Sequence, residues 1–348
     1  MQWNRRGVIA QQQSIERDDS RQDVAIHGVR VLEVAEGYFR DSNAPMLMNN
    51  ASEQPMAAQV ESFYDPATST FTYVVFDRDG GRAVIIDPVL DFDPIAARIS
   101  TQSADLVLVF LSDRGLTVDW ILETHVHADH LSGAAYLKEK TGAKIAIGRG
   151  VARLQQRFAA LFGLGASFPT DGSQFDRLLA DDEVFEFGAL RGYAMPTPGH
   201  TEDSLTYVIG DAAFVGDTLF APDTGTARTD FQGGDARTLY RSIQKLLSLP
   251  ANTRLFLCHD YPSTERAIRA ETSIADQKAN NIHVKQDVTE EGFVTMRTER
   301  DKTLAVPKLL LPSLQVNIRA GNLPPPDENG IRYLRLPLDQ VNVGKTLL

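Results

Sequence analysis

The chain of 348 residues contains a single cysteine, Cys258. No disulfide can form within it, and the spacing rules for zinc knuckles and CxxC redox pairs have nothing to act on. Basic residues are also in deficit, 35 against 46 acidic ones, leaving a net charge of −11 with neutral histidines. Such a surface repels phosphate backbones, so no nucleic-acid partner is expected and the substrate should be small. Apolar runs of the ~18 residues that span a bilayer are missing, and so is the basic, apolar and small-residue order of a secretory signal. Glu16, Asp18 and Asp19 come too early for an acid-poor mitochondrial presequence. These absences predict a cytoplasmic protein with no membrane contact, the mitochondrial matrix being the lesser alternative. The composition is otherwise globular, 43% hydrophobic and 23% charged.

What the chain does have is an ordered set of histidines and carboxylates. Five of its seven histidines fall in Thr124-His125-Val126-His127-Ala128-Asp129-His130, in Pro198-Gly199-His200 and in Cys258-His259-Asp260, with Asp217 in Gly216-Asp217-Thr218 between the last two. Residues 118–123, just before the first cluster, read as a buried strand, and each later donor also follows a short apolar run. One sheet edge should therefore deliver every donor. Any one of these histidines alone would read as a surface or core residue; their joint placement reads as a metal site. Strand alternation turns Cys258 away from His259, which predicts an inert thiol in the core.

Three regions are expected. Residues 1–58 form a polar N-terminal extension with one amphipathic stretch at 29–38, where His27 reads as a solvated surface residue. Residues 59–284 form the catalytic unit. It opens with a hairpin of residues 70–77 and 83–86 around Asp79-Gly80-Gly81. Asp87 closes that hairpin as a turn residue. Helices are expected at 105–114 and 133–140, and a second hairpin, 204–209 with 212–215, links His200 to Asp217. The Phe- and Leu-rich stretch 150–182 is expected to pack in the core, with a lid over the site as the alternative. Ser263-Thr264-Glu265 opens a helix running to about Asn280. Residues 285–348, with strand-like pieces at 293–297 and 314–318 and a Pro324-Pro325-Pro326 loop, form a C-terminal accessory tail packed on the catalytic unit or a homodimer contact.

The HxHxDH cluster with later PGH, GD and CHD resembles the metallo-β-lactamase superfamily, which implies an α/β (α+β) fold, the four-layer αββα sandwich. Thr226-Ala227-Arg228-Thr229-Asp230-Phe231-Gln232, Thr238-Leu239-Tyr240 and His259-Asp260-Tyr261 further resemble the persulfide dioxygenases, the ethylmalonic encephalopathy protein family. That resemblance covers residues 63–283. It implies one Fe(II) per chain held by His125, His200 and Asp217, a two-histidine, one-carboxylate set. It also implies oxidation of glutathione persulfide by O2 and water to glutathione and sulfite, as in sulfide detoxification. His127, Asp129, His130, His259 and Asp87 would then orient the ligands or hold a second metal. Arg228 would clamp a carboxylate of the carrier thiol, its alternative being a structural pair with Asp230 or Asp235, and Tyr261 would lie near the substrate. The chain has Thr226-Ala227 where many family members have Cys-Gly, so coenzyme A persulfide stays open as the substrate. Two further readings remain: a dinuclear thioester hydrolase of the glyoxalase II type, and a metal-binding scaffold without turnover.

Overall fold

The computed structural model describes residues 56–340 apart from 232, 263–265 and 286, all within the compact unit Glu53–Leu348. His27 and the stretch 29–38 lie outside the described residues. In chain order the strands are β1 (Gln59–Asp65), β2 (Thr70–Phe76), β3 (Arg82–Ile86), β4 (Val89–Asp93), β5 (Arg98–Ser100), β6 (Thr117–Leu122), β7 (Leu131–Ser132) and β8 (Lys144–Gly148). They continue with β9 (Arg177–Leu179), β10 (Val184–Phe187), β11 (Leu190–Pro196), β12 (Leu205–Ile209), β13 (Ala212–Phe214), β14 (Arg254–Phe256) and β15 (Glu271–Ser273). The helices are α1 (Gln102–Asp113), α2 (Ala134–Thr141), α3 (Val151–Leu161), α4 (Ala236–Leu247), α5 (Ile274–Asn280), α6 (Glu290–Asp301) and α7 (Leu310–Asn317).

Two six-stranded sheets, ordered β1-β2-β3-β6-β8-β9 and β10-β11-β12-β13-β14-β15, carry the fold. Every residue of β2 is buried, because successive side chains serve different cores. Tyr73 and Val75 meet Phe185, Tyr207, Phe214 and Phe256 of the second sheet. Val74 and Phe76 point the other way, into a core shared with α1, α2, α3 and α7. On the second sheet's far side, Val208, Ala213 and Leu255 pack against Leu239, Ile243, Ile274 and Phe293 of α4, α5 and α6. Helix, sheet, sheet, helix is the αββα sandwich expected from the resemblance.

Strand direction gathers the donors. β3 and β6 run parallel, as do β13 and β14; β11 and β13 are each antiparallel to β12 and so run alike. Asp87, His125, His200, Asp217 and His259 each follow the C-terminal end of one of these five strands. The two sheets meet at that edge, where Phe71 N donates to Cys258 O at 2.8 Å.

Several expectations need correction. Residues 293–297 lie in α6 and 314–318 in and just after α7; neither is a strand. α6 buries Phe293, Arg297 and Asp301, one helical turn apart, so two polar residues mask its buried stripe. The helix expected from residue 263 starts at Ile274, capped by Ser273, and residues 263–265 lie outside the described ones. The stretch 150–182, by contrast, packs as expected: Phe158, Phe162 and Phe168 are buried in the first sheet's core, and none of its residues lines the metal cavity, so the lid alternative falls.

Candidate metal centre

The loop after β6 is held by carboxylates from neighbouring strand ends. Asp87, in a left-handed conformation with φ 50°, accepts from Thr124 N at 2.7 Å and Thr124 Oγ1 at 2.9 Å. Asp87 is thus both the turn residue and the brace. Asp203 accepts from Val126 N at 2.8 Å. These bonds point the buried side chains of His125, His127 and His130 into one small volume with His200, Asp217 and His259.

The imidazoles are oriented through Nδ1. Thr124 Oγ1 spends its proton on Asp87, so at 3.0 Å it accepts from His125 Nδ1. His200 Nδ1 donates to the Arg228 carbonyl at 2.8 Å and His259 Nδ1 to the Ser69 carbonyl at 3.3 Å. With the proton on Nδ1, each Nε2 carries a lone pair suited to a metal. Ligand atoms of His125, His200 and Asp217 lie within 4.8 Å of one another. His125 Nε2, both ring nitrogens of His127 and of His130, His259 Nε2 and Asp217 Oδ1 are buried without a hydrogen-bond partner. Buried polar atoms are normally paired, so this concentration of unpaired imidazole and carboxylate atoms fits a cation.

The charges agree. Burial pushes His125 well below the usual histidine value, reinforced by repulsion from His127. Burial works against the charge of Asp217 as well, but His259, His200 and His125 outweigh it and hold the carboxyl below its usual range. Two histidines differ from the rest. Burial lowers His259, but Asp129 and Asp217 hold it well above the usual histidine value. The other is His127. Its Nε2 lies 3.0 Å from Asp87 Oδ1 and 3.6 Å from Glu123 Oε2. Burial lowers its pKa, yet these carboxylates raise it to about 9. Glu123, pushed up to about 8 chiefly by burial, also accepts from Ser132 Oγ.

Cys258 is buried, and burial raises its pKa, but it does not face away from the site. Its Sγ lies 3.8 Å from Asp87 Oδ2 and within 4.8 Å of ligand atoms of His127 and His259. β14 ends at Phe256, so strand alternation no longer governs residues 258 and 259.

A cavity of about 450 Å³ opens over His200, Asp217 and Asp129, walled by Phe220, Phe231, Arg228 and Tyr261. Tyr261 stacks on His259 with ring centroids 5.8 Å apart. Arg228 is engaged: its Nε and a terminal nitrogen bind Asp230 at 2.6 and 2.7 Å, and the other terminal nitrogen donates to Ala305 O at 2.7 Å. Arg297, Arg300 and Lys308 also line the cavity. Arg297 is bound to Asp301, whereas no ion pair forms at Arg300 or Lys308 among the described residues. Sequence reading missed Glu123, Asp203 and these three cations. Glu123 ends an apolar strand, a detectable oddity, but the tail gives no local signal that it reaches the site. A larger apolar cavity, about 890 Å³, between β4–β5 and the tail contains no metal-ligating side chain.

Four layers with histidine and carboxylate donors at the shared strand edge define a metal-binding αββα protein. The sequence matches the metallo-β-lactamase superfamily over residues 65–259. It is 54% identical over 292 residues to a probable metallo-hydrolase of Burkholderia pseudomallei, covering 81% of this chain and 99% of that one. Glyoxylase B2 of Dictyostelium discoideum is 48% identical over 284 residues, with 81% and 97% covered. Human mitochondrial persulfide dioxygenase ETHE1 is 30% identical over 232 residues, 66% of this chain and 78% of that protein. The crystal structure of ETHE1 from Myxococcus xanthus matches with a TM-score of 0.60 at 30% identity, covering 76% of this chain and 100% of that one. The chain belongs to the metallo-β-lactamase superfamily and, within it, to the persulfide dioxygenase (ETHE1-like) family.

Proposed function

We propose that the protein is a mononuclear iron enzyme that oxidises a small anionic persulfide, glutathione persulfide in the first instance, with O2 and water to the thiol and sulfite. The observation that carries this reading is the division of the histidines. His125, His200 and Asp217 converge as a two-histidine, one-carboxylate set, while His127 Nε2 lies 3.0 Å from Asp87 Oδ1 and His259 Nε2 3.0 Å from Asp129 Oδ2. When bound, ferrous iron supplies the one-electron chemistry that O2 requires to react with a closed-shell sulfur compound.

The chain's own residues do the rest. Thr124 and the carbonyls of Arg228 and Ser69 hold the three imidazoles in a fixed tautomer and orientation. Phe220 and Phe231 give the cavity apolar walls, which exclude water from a reactive sulfur. Phe231 lies edge-on to His200, centroids 5.5 Å apart. Because Arg228 is committed to Asp230, the carrier's carboxylates fall to Arg300 and Lys308, cations facing the same cavity. They give an acidic protein a locally positive approach for an anion.

A dinuclear thioester hydrolase is the second reading. The unpaired ring nitrogens of His127 and His130, which converge with Asp129, favour it, since they leave donors for another ion. Metal analysis of anaerobically purified protein separates the two: about one iron per chain is expected, and two metals with rapid thioester hydrolysis would promote the hydrolase.

A further inference from the structure

The turn that carries Asp129 and His130 is held from outside by one side chain of the C-terminal segment. Asn317, the last residue of α7, is buried. Its Nδ2 donates to the carbonyls of both His127 and His130 at 2.8 Å, and its Oδ1 accepts from Ser132 N at 2.8 Å. Both amide protons and the carbonyl oxygen are thus spent on one six-residue turn, which begins two residues after His125. Carbonyls facing inward in such a turn would otherwise be desolvated without partners.

α7 is anchored independently of these bonds. Leu310, Leu314 and Ile318 are buried in the first sheet's core, and Gln155 Nε2 donates to Ile318 O at 2.8 Å. Just beyond it, a Cβ on Gly321 would stand 2.9 Å from Ser132 O and from Ala135 N, so the chain passes directly against the turn. A rigid helix therefore presents a rigid amide to a loop whose first four residues precede the short β7–β4 pairing.

We propose that Asn317 is a positioning residue of the metal centre: it sets the shape of the turn His127 to Ser132 and couples metal affinity to the docking of α7. With two ions the turn carries ligands of its own, and with one it carries Asp129 and His130 beside the ligands, so the positioning role does not depend on the reaction proposed above. Metal-free Asn317→Ala protein titrated with Co(II), followed by the visible spectrum of the bound ion, tests it. Gln315→Ala is the matched control, since Gln315 is a buried amide on the same helix that bonds to Arg335 rather than to the turn.

Asn317→Ala should bind Co(II) roughly 10–100-fold more weakly, the usual loss for a group that orients ligands. Its cobalt spectrum should change, and amides of residues 126–132 should exchange hydrogen faster in the metal-free protein. Gln315→Ala should melt earlier but keep wild-type affinity and spectrum. If Asn317→Ala does not fold, Asn317→Asp replaces it, retaining the volume and the bond from Ser132 N while losing both donors. Unchanged cobalt affinity in a folded Asn317 variant overturns the proposal, as does an equal loss in Gln315→Ala. Failure of both Asn317 variants to fold also overturns it, by showing that the residue serves the core and not the site.

Discussion

At the scale of single residues, the ligand set is the most exposed part of the account. His125→Ala, His200→Ala or Asp217→Ala should abolish metal binding and activity together, because each removes one of three convergent donors. His130→Ala or His259→Ala should keep the ion and lose roughly 10–100-fold in activity or affinity. Metal analysis of the five purified variants checks this, and equal metal loss in all five would show a second occupied site. Arg228 and the tail cations should also separate. Arg228→Ala strips a charged partner from half-buried Asp230 and should cost about 1.5–3 kcal/mol of stability. Arg300→Ala and Lys308→Ala should each raise KM about two- to fivefold with kcat unchanged, the worth of an exposed ion pair in a uniformly bound carrier. Steady-state oxygen uptake with glutathione persulfide, paired with melting curves, distinguishes them; a KM effect at Arg228 alone would return the carboxylate to that residue. The donors were legible in the sequence because a metal demands a fixed chemistry at each position. Glu123, Asp203 and Asn317 were not, because a carboxylate or amide that holds a backbone can come from any neighbouring element.

At the scale of elements, short apolar windows were the weak point. Residues 314–318 read as a strand and form a helix because five apolar or amide residues satisfy either period, and only packing chooses between them. Hairpins fared better. The Asp79-Gly80-Gly81 turn and the link from His200 to Asp217 carry local chemistry, with Gly80 at φ 70° and Gly210 at φ 57°. Gly199 tests how tightly an element fixes the site. It sits at φ 136° immediately before His200, and a Cβ there would stand 2.3 Å from the Leu239 backbone of α4. Gly199→Ala must therefore shift the helix or the histidine, with an expected cost of at least the ~1–3 kcal/mol of overpacking and a reduced metal content. A variant with wild-type melting temperature and full metal would show that this strand end is softer than its packing implies.

At the scale of the whole molecule, the matched superfamily region ends at residue 259, yet the working unit does not. α6 and its following loop supply Arg297, Arg300 and Lys308 to the cavity, and α7 fills the core beneath the first sheet. The tail expected as an accessory is part of the same packing. No described helix is long and apolar enough to cross a membrane.

The buried charges also predict how the metal-free protein responds to pH. His127, raised to about 9, His259, raised well above its usual value, and Glu123, raised to about 8, bind their protons more tightly folded than unfolded. Their contribution is complete below the unfolded values, about 6.5 and 4.3, and is lost as pH rises through the folded ones. His125 and His130, lowered chiefly by burial, act oppositely and contribute fully once pH exceeds about 6.5. Stability of the metal-free protein should therefore fall between about pH 6.5 and 9. Denaturant melts across that interval check it; a flat or rising midpoint would contradict the charge assignment, and His127→Gln should make the decline shallower without abolishing it.

The central claim is that the His125, His200 and Asp217 site performs oxygenation, and an oxygen electrode tests it most directly. Protein loaded anaerobically with ferrous iron, given glutathione persulfide in air-saturated buffer, should consume one O2 for each sulfite formed, and Asp217→Ala should consume none. Sulfite formation without matching oxygen uptake, or no turnover by protein that holds its iron, would contradict it.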